Sequence, residues 1–265
     1  MYSVNYHRAI SVNEAANRVK GSDGKFLSGG MTLIPAMKTR LAAPTEVVDL
    51  THIADLKGIK VSGGTVTIGA ATTHAEVATD AALKAAVPAL AYLASHIGDP
   101  HVRHRGTIGG SIANNDPAAD YPAAMLALDA NIVTNEREIA AADFFTGLFE
   151  TALEDGEMVT AVRFAVPGKA GYAKFPNPAS RYAMTGVFVA QGASGVRVAV
   201  TGAGDNGVFR ADEIEAALSK SFDAAALNGI TVSASNMMGD IHASPEYRAN
   251  LVVVMAKRAV AQANG

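Results

Sequence analysis

Two pairs of adjacent glycines are the features of this sequence best suited to bind a ligand. The first pair, Gly29 and Gly30, lies within residues 27–33, which read Leu-Ser-Gly-Gly-Met-Thr-Leu. Glycine adopts left-handed backbone angles and has no Cβ, so several backbone N–H groups of such a loop can point at one anion. A helix beginning at about Thr32 or Leu33 would add its positive dipole end there. The segment predicts a pyrophosphate cradle, although an ordinary strand-to-helix turn can use the same residues.

The second glycine pair lies in residues 107–111, which read Thr-Ile-Gly-Gly-Ser. We predict that a helix follows, beginning at Pro117 and running to about residue 128. The carboxylates of Asp116 and Asp120 would then be placed to accept hydrogen bonds from ribose or ribityl hydroxyls. Neither glycine pair belongs to a Walker loop or to the three-glycine turn of a dinucleotide-binding Rossmann fold. Two such loops favour a dinucleotide ligand over a lone phosphate.

Other kinds of site have weaker support in the sequence. His96, Asp99, His101 and His104 match no common zinc spacing, and Pro100 is expected to break any helix that would align them. No Gly-x-Ser-x-Gly elbow or comparable nucleophile with a positioned base is recognisable. We therefore predict neither a metal site nor a catalytic nucleophile in this chain.

Composition narrows the function classes further. The 265 residues are 49% hydrophobic and 18% charged, and the net charge is -3, from 22 Lys and Arg against 25 Asp and Glu. This balance gives no reason to expect a nucleic-acid or anionic-membrane partner. The absence of cysteine excludes disulfides, thiolate zinc sites and iron–sulfur clusters held by this chain. No apolar run suits a membrane span or a signal core, so we expect a cytoplasmic protein.

The elements that would position these loops predict an α+β protein in two parts. Before about residue 170, strand and helix signals alternate, and afterwards antiparallel strands precede helices. Pro167, Pro176 and Pro178 predict a linker or irregular loop over about 168–180, where we place the boundary. Several helices are predicted. One begins after Ser11, one has Leu33, Ala36, Met37 and Leu41 on one face, and two others cover residues 81–96 and 245–262. The predicted strands are residues 25–27, 46–50, 59–61, 66–68, 186–190 and 196–200.

A more specific resemblance extends over nearly the whole chain. Residues 97–111 and 116–120 resemble the signature of the FAD subunits of molybdenum hydroxylases, the carbon monoxide dehydrogenase and xanthine dehydrogenase family. Residues 27–35 resemble the other flavin loop of that family, whose usual form is Ala-Gly-Gly-x-Ser-Leu-x-Pro. Further matches follow in the family's order, at residues 68–74, 145–153, 157–160, 172–175, 181–183 and 247–248.

The resemblance implies a vanillyl-alcohol-oxidase-type FAD-binding domain of two α/β subdomains over residues 1–170. Residues 171–265 would form a small C-terminal domain with an antiparallel sheet and helices, like that of carbon monoxide dehydrogenase flavoproteins. The implied FAD contacts are Leu27, Ser28, Gly29, Gly30, Met31 and Thr32 in the first loop and Thr107, Ile108, Gly109, Gly110 and Ser111 in the second. Asp120 would bind hydroxyls of FAD, Ile97 and Met158 would pack against its rings, and Lys174 would contact the flavin.

The resemblance also implies a division of labour between subunits. A large subunit with molybdenum cofactor would oxidise the substrate, and a small subunit with two [2Fe–2S] clusters would pass electrons to FAD, in a dimer of heterotrimers. The absence of cysteine agrees with clusters held elsewhere. A self-sufficient FAD oxidase and a non-catalytic nucleotide-binding module remain alternatives. The substrate of the complex and its electron acceptor are not determined by these residues.

Overall fold

The computed structural model describes residues 1–265, and its N-terminal part is a small parallel sheet with two helices. The chain order is β1 (Asn5–Arg8), α1 (Val12–Val19), β2 (Lys25–Leu27), α2 (Leu33–Lys38) and β3 (Glu46–Asp49), and the strand order is β1-β3-β2. Ser11 caps α1 by accepting a hydrogen bond from the Glu14 N–H at 3.2 Å. Val48 and Ala15 are fully buried between the strands and α1. Strand β2 of this sheet therefore ends directly before the first glycine loop, residues 28–32.

A five-stranded antiparallel sheet forms the centre of the molecule, with helices packed against it. Its strands are β4 (Ile59–Ser62), β5 (Thr65–Gly69), β6 (Asn131–Thr134), β7 (Glu138–Ala140) and β10 (Val159–Ala165), in the order β4-β5-β10-β6-β7. Val162 lies between Ile68 and Ile132 on neighbouring strands, and all three side chains are fully buried. These cross-strand contacts stabilise the sheet because alternate residues point to the same face.

The segment that connects β5 with β6 is helical and contains the second glycine loop, residues 107–111. Its helices are α3 (His74–Thr79), α4 (Ala81–Ala86), α5 (Pro88–Ser95), α6 (Pro100–Arg105), α7 (Ile108–Asn114) and α8 (Tyr121–Ala127). After β7 come α9 (Ala141–Phe144) and the small hairpin of β8 (Phe145–Gly147) and β9 (Glu150–Thr151). The fully buried α8 side chains place this segment in the main core.

The C-terminal part is a four-stranded antiparallel sheet buried on both faces. Its elements are β11 (Lys169–Pro176), β12 (Ala183–Gly192), β13 (Gly195–Thr201), β14 (Phe209–Arg210), α10 (Asp212–Lys220) and α11 (Pro245–Asn264). Val187 and Val189 pack in a core shared with α11, whereas Tyr172 and Phe188 pack in the main core with the central helices. Successive residues of a strand point to opposite faces, and both faces of β12 are buried, so this strand is apolar almost throughout.

The mixed α+β architecture agrees with the sequence prediction, but the predicted linker over 168–180 is wrong. Strand β11 occupies most of that stretch and pairs with β12 along its whole length. Pro176 lies at the end of the strand, beside a register shift, where a missing N–H is tolerated. The irregular segment is limited to residues 177–182. The boundary predicted after residue 170 therefore falls inside a strand.

Three predicted helices differ from the observed ones. The helix predicted over 81–96 is two helices, because Pro88 begins the second of them. Pro100 begins α6 after α5 has ended at Ser95, so no single helix aligns His96 with His101 and His104, as predicted. The helix predicted from Pro117 begins at Tyr121, after a turn in which the Asp116 side chain accepts a hydrogen bond from the Ala118 N–H at 2.9 Å. Leu41 lies beyond α2 and is 86% exposed, so it does not share the buried helix face.

No helix has the length and apolarity needed to cross a membrane.

Candidate functional site

A cavity of about 900 Å³ lies where the first and second glycine loops meet. Such a volume is near the upper end of the range typical of small-molecule and cofactor sites. The predicted contact residues that line it are Leu27, Ser28, Gly29, Gly30, Met31, Thr32, Ile97, Thr107, Gly109, Gly110, Ser111, Asp116, Asp120 and Met158. Ile108 and Lys174 do not line it. The fold thus brings together residues that are far apart in the sequence.

The first glycine loop offers consecutive unpaired backbone donors to this cavity. The N–H groups of residues 28–32 donate no hydrogen bond to any atom of the chain. Gly30 has a φ of 75°, a left-handed conformation that most side chains disfavour. α2 begins immediately afterwards and is only six residues long. The loop therefore presents five consecutive free amides beside the cavity, and such a run can bind a phosphate or pyrophosphate.

The second glycine loop is built differently, because the N–H groups of residues 108–111 all donate hydrogen bonds within the chain. Its paired glycines lie in the first turn of α7, which Thr107 caps by accepting a hydrogen bond from the Gly110 N–H at 3.2 Å. The N–H groups of Ile108 and Gly109 donate to the carbonyl oxygens of Thr72 and Ala70, and the Ser111 N–H donates to Thr107. Gly110 and Ser111 instead form part of the cavity wall.

Direct contacts join the two loops. The hydroxyl oxygens of Ser28 and Thr107 are 3.0 Å apart, within hydrogen-bonding distance. A Cβ on Gly29 would lie 2.7 Å from the Cα of Gly106, so only glycine allows the backbones to approach this closely. Ser28, Thr107 and Gly29 therefore fix the relative position of the loops on one side of the cavity.

Asp120 lies in the cavity wall within a buried polar cluster. The Lys174 Nζ is 2.9 Å from one of its carboxylate oxygens and 3.1 Å from the other, and the Tyr172 hydroxyl donates a further hydrogen bond. Burial raises the pKa of Asp120, while Lys174 and Tyr172 act in the opposite direction. Lys174 also donates to the His96 carbonyl oxygen at 3.0 Å. The structure thus places Lys174 behind Asp120 and not in the cavity wall.

Ile108 is the second predicted contact residue that lies elsewhere. Its side chain is fully buried in the main core together with Ile112, one turn further along α7. This follows from the start of α7 at Ile108, because residues four apart share a helix face. Ile108 therefore packs the helix against the core, and only its neighbours reach the cavity.

Several cavity residues were not predicted as contacts, and His74, Arg181 and Tyr182 are among them. His74, the first residue of α3, is 4% exposed, and burial, with a smaller effect of Arg103, lowers the pKa of its imidazole to about 4. Arg181 and the half-exposed Tyr182 also line the cavity, from the segment between β11 and β12. The Thr73–Glu76 capping box predicts the start of α3, but nothing local indicates that His74 faces a site.

The chain is similar in sequence and in fold to known proteins. Residues 2–167 match the family described as the FAD binding domain in molybdopterin dehydrogenase. The chain is 36% identical to the carbon monoxide dehydrogenase medium chain of Afipia carboxidovorans, over 98% of this chain and 96% of the relative. It is 33% identical to the glyceraldehyde dehydrogenase medium chain of Sulfolobus acidocaldarius, over 96% of each. A solved carbon monoxide dehydrogenase from Hydrogenophaga pseudoflava matches with a TM-score of 0.88 at 34% identity, covering 99% of this chain and 97% of that one.

Proposed function

Because this chain belongs to the FAD-binding medium subunits of molybdenum hydroxylases, the carbon monoxide dehydrogenase and xanthine dehydrogenase family, we propose that it binds one FAD noncovalently in the cavity between its glycine loops. The observation that carries this proposal is the run of free amides over residues 28–32, which suits the pyrophosphate of a dinucleotide. Thr107 and Ser28 hold this cradle against α7. The apolar side chains of Ile97 and Met158, which line the cavity, would pack against the rings.

The carboxylates in the cavity wall complete the proposed site. Asp116 and Asp120 would accept hydrogen bonds from the ribose or ribityl hydroxyls, as carboxylates commonly do. Lys174 and Tyr172 hold Asp120 in position from β11. The match of residues 2–167 supports a division near residue 170 into an FAD-binding domain and a C-terminal domain, although β11 contributes to the site from the second part.

The chain is an oxidoreductase subunit, and its proposed role is electron transfer within a complex. Bound FAD would supply the redox chemistry, taking electrons from [2Fe–2S] clusters and giving them to an external acceptor. We place those clusters in a partner small subunit and the molybdenum cofactor in a partner large subunit, in a dimer of heterotrimers. The lack of cysteine in this chain supports the placement of the clusters. Relatives of comparable identity include carbon monoxide and glyceraldehyde dehydrogenase chains, so the substrate is not assigned.

Flavin release tests the cofactor proposal. The purified full chain should be yellow, or should become yellow when FAD is added, and acid precipitation should leave the flavin in the supernatant as intact FAD. Flavin that stays with the denatured pellet would contradict noncovalent binding. A folded, colourless chain that takes up no FAD would refute the function proposed for the cavity.

A further inference from the structure

His74 is a buried polar side chain in the cavity wall that the proposed contacts do not use. It is 4% exposed, and its Nδ1 is sealed from solvent without a hydrogen-bond partner. Its ring lies 5.4 Å, between centroids, from the Tyr121 ring, whose hydroxyl is also buried without a partner. Buried polar atoms are paired in the great majority of cases. The Nε2 of His74 also makes no hydrogen bond within the chain, but unlike Nδ1 it is not sealed from solvent, so it is the ring atom that a ligand in the cavity can reach.

Gly106 lies between the His74 ring and Gly29 of the first glycine loop. A Cβ on Gly106 would lie 2.6 Å from the His74 Nε2, and a Cβ on Gly29 would lie 2.7 Å from the Cα of Gly106. The His74 backbone N–H donates to the Gly106 carbonyl oxygen at 2.9 Å. The φ of Gly106 is -61°, which any residue can adopt. Gly106 therefore serves to leave room for the imidazole, and the imidazole lies at the junction of the two loops.

The protonation of His74 determines what its ring can bind. With a pKa of about 4 the imidazole is neutral at ordinary pH and has one N–H. Buried N–H groups without an acceptor are rarer than unpaired acceptors, so the sealed Nδ1 is better left unprotonated. The proton then belongs on Nε2, next to Gly106. The ring thus presents a donor, which matches an oxygen-rich group of a ligand.

We propose that His74 contacts the ligand directly, donating a hydrogen bond from Nε2 to an oxygen at the phosphate end of FAD, and that Gly106 leaves the space for this contact. The inference rests on the proposed binding of FAD in the cavity. It adds a side-chain donor to the backbone amides of residues 28–32. The first glycine loop, Gly106 and His74 then form one continuous binding surface.

Three substitutions of His74 separate hydrogen bonding from packing. The amide nitrogen of glutamine occupies the place of Nε2, whereas that of asparagine occupies the place of Nδ1 and phenylalanine has no donor. His74→Gln should bind FAD within about threefold of the unchanged chain, and His74→Asn and His74→Phe should bind about tenfold more weakly, the effect of one hydrogen bond. FAD titration of the flavin-free full chain measures this, with thermal melting as the check on folding. Equal affinities of folded His74→Gln and His74→Phe would overturn the proposal.

Ligand fragments locate the contact along FAD. ADP contains the pyrophosphate and riboflavin lacks it. His74→Phe should therefore lower the affinity for ADP by the same factor as the affinity for FAD, and should leave the affinity for riboflavin unchanged. A loss of riboflavin affinity of equal size would place the contact at the flavin end and overturn the assignment. Failure of the unchanged chain to bind FAD would refute the proposed function itself. Normal FAD binding by the unchanged chain and by all three variants would refute only the role of His74.

A substitution of Gly106 provides an independent check. Gly106→Ala places a methyl group against Nε2, so it should lower FAD affinity about tenfold or more. The double variant Gly106→Ala with His74→Ala removes the overlap, so it should recover the melting temperature but not the affinity. Full FAD affinity in the folded double variant would contradict a direct contact by His74.

Discussion

At the scale of single residues, the two adjacent glycines of α7 lack side chains for different structural reasons. A Cβ on Gly109 would overlap Ala70, because α7 packs closely against the end of β5 there. A Cβ on Gly110 would meet only the Thr107 hydroxyl, at 2.9 Å, and otherwise points into open space. Gly109 is therefore required for packing, whereas the absence of a side chain at Gly110 leaves space in the cavity. The Gly110 amide already donates to Thr107, so its role is not to present an N–H to the ligand.

We expect Gly110→Val to lose FAD binding by about 100-fold or more while the chain stays folded. The valine side chain would occupy the cavity and displace the Thr107 hydroxyl from Ser28, which holds the first glycine loop. FAD titration and circular dichroism together measure the two effects. The control is His101→Gln, an exposed position outside the cavity, which should bind FAD normally. Full affinity in Gly110→Val, with a loss in His101→Gln, would show that the cavity has been misassigned.

At the scale of secondary structure, the sequence predicts elements well where they have local signals. The strands over residues 25–27, 59–61 and 66–68 and the helix from Pro245 are all confirmed. Each depends on a cap, a turn or a clear periodicity. The resemblance to flavin subunits is confirmed by the family match, and most of the predicted contacts do line one cavity.

The errors have physical causes that local patterns do not reveal. Pro167 and Pro176 predict a loop, but long-range pairing with β12 makes residues 169–176 a strand. Lys174 lies behind Asp120 and outside the cavity wall because β11 crosses there. Ile108 packs in the core because α7 starts at that residue. The role of His74 depends on close backbone approach at Gly106, which is a tertiary contact.

The position of β11 leads to a prediction about stability. Lys174 and Asp120 are 7% and 4% exposed, and removing one partner of a buried ion pair leaves the other charge without compensation. Lys174→Met should lower the free energy of unfolding by about 3 kcal/mol, and adding Asp120→Asn should restore much of that loss. Urea denaturation of the two single variants and the double variant gives the coupling between the residues. Strictly additive losses would contradict a paired interaction.

At the scale of the whole molecule, the C-terminal sheet is part of the same packed body as the cavity. One face of β12 packs against α11, and the other face contributes Phe188 to the main core. Tyr172 and Lys174 extend from the neighbouring strand β11 to Asp120 in the cavity wall. A fragment ending near residue 167 would therefore lack the groups that hold Asp120, although that stretch alone matches the family. The cavity therefore depends on residues on both sides of residue 167.

We expect the isolated chain to be inactive toward the substrate of its complex. The chain has no cysteine to hold iron–sulfur clusters, and its sequence contains no recognisable nucleophile with a positioned base. Purified alone and loaded with FAD, it should reduce a dye slowly from an artificial donor, yet turn over neither carbon monoxide, nor an aldehyde, nor a purine. Activity should appear only when subunits containing molybdenum cofactor and [2Fe–2S] clusters are added. Rapid turnover by the single chain, in a sample with no detectable molybdenum or iron, would contradict this division of labour and favour a self-sufficient oxidase.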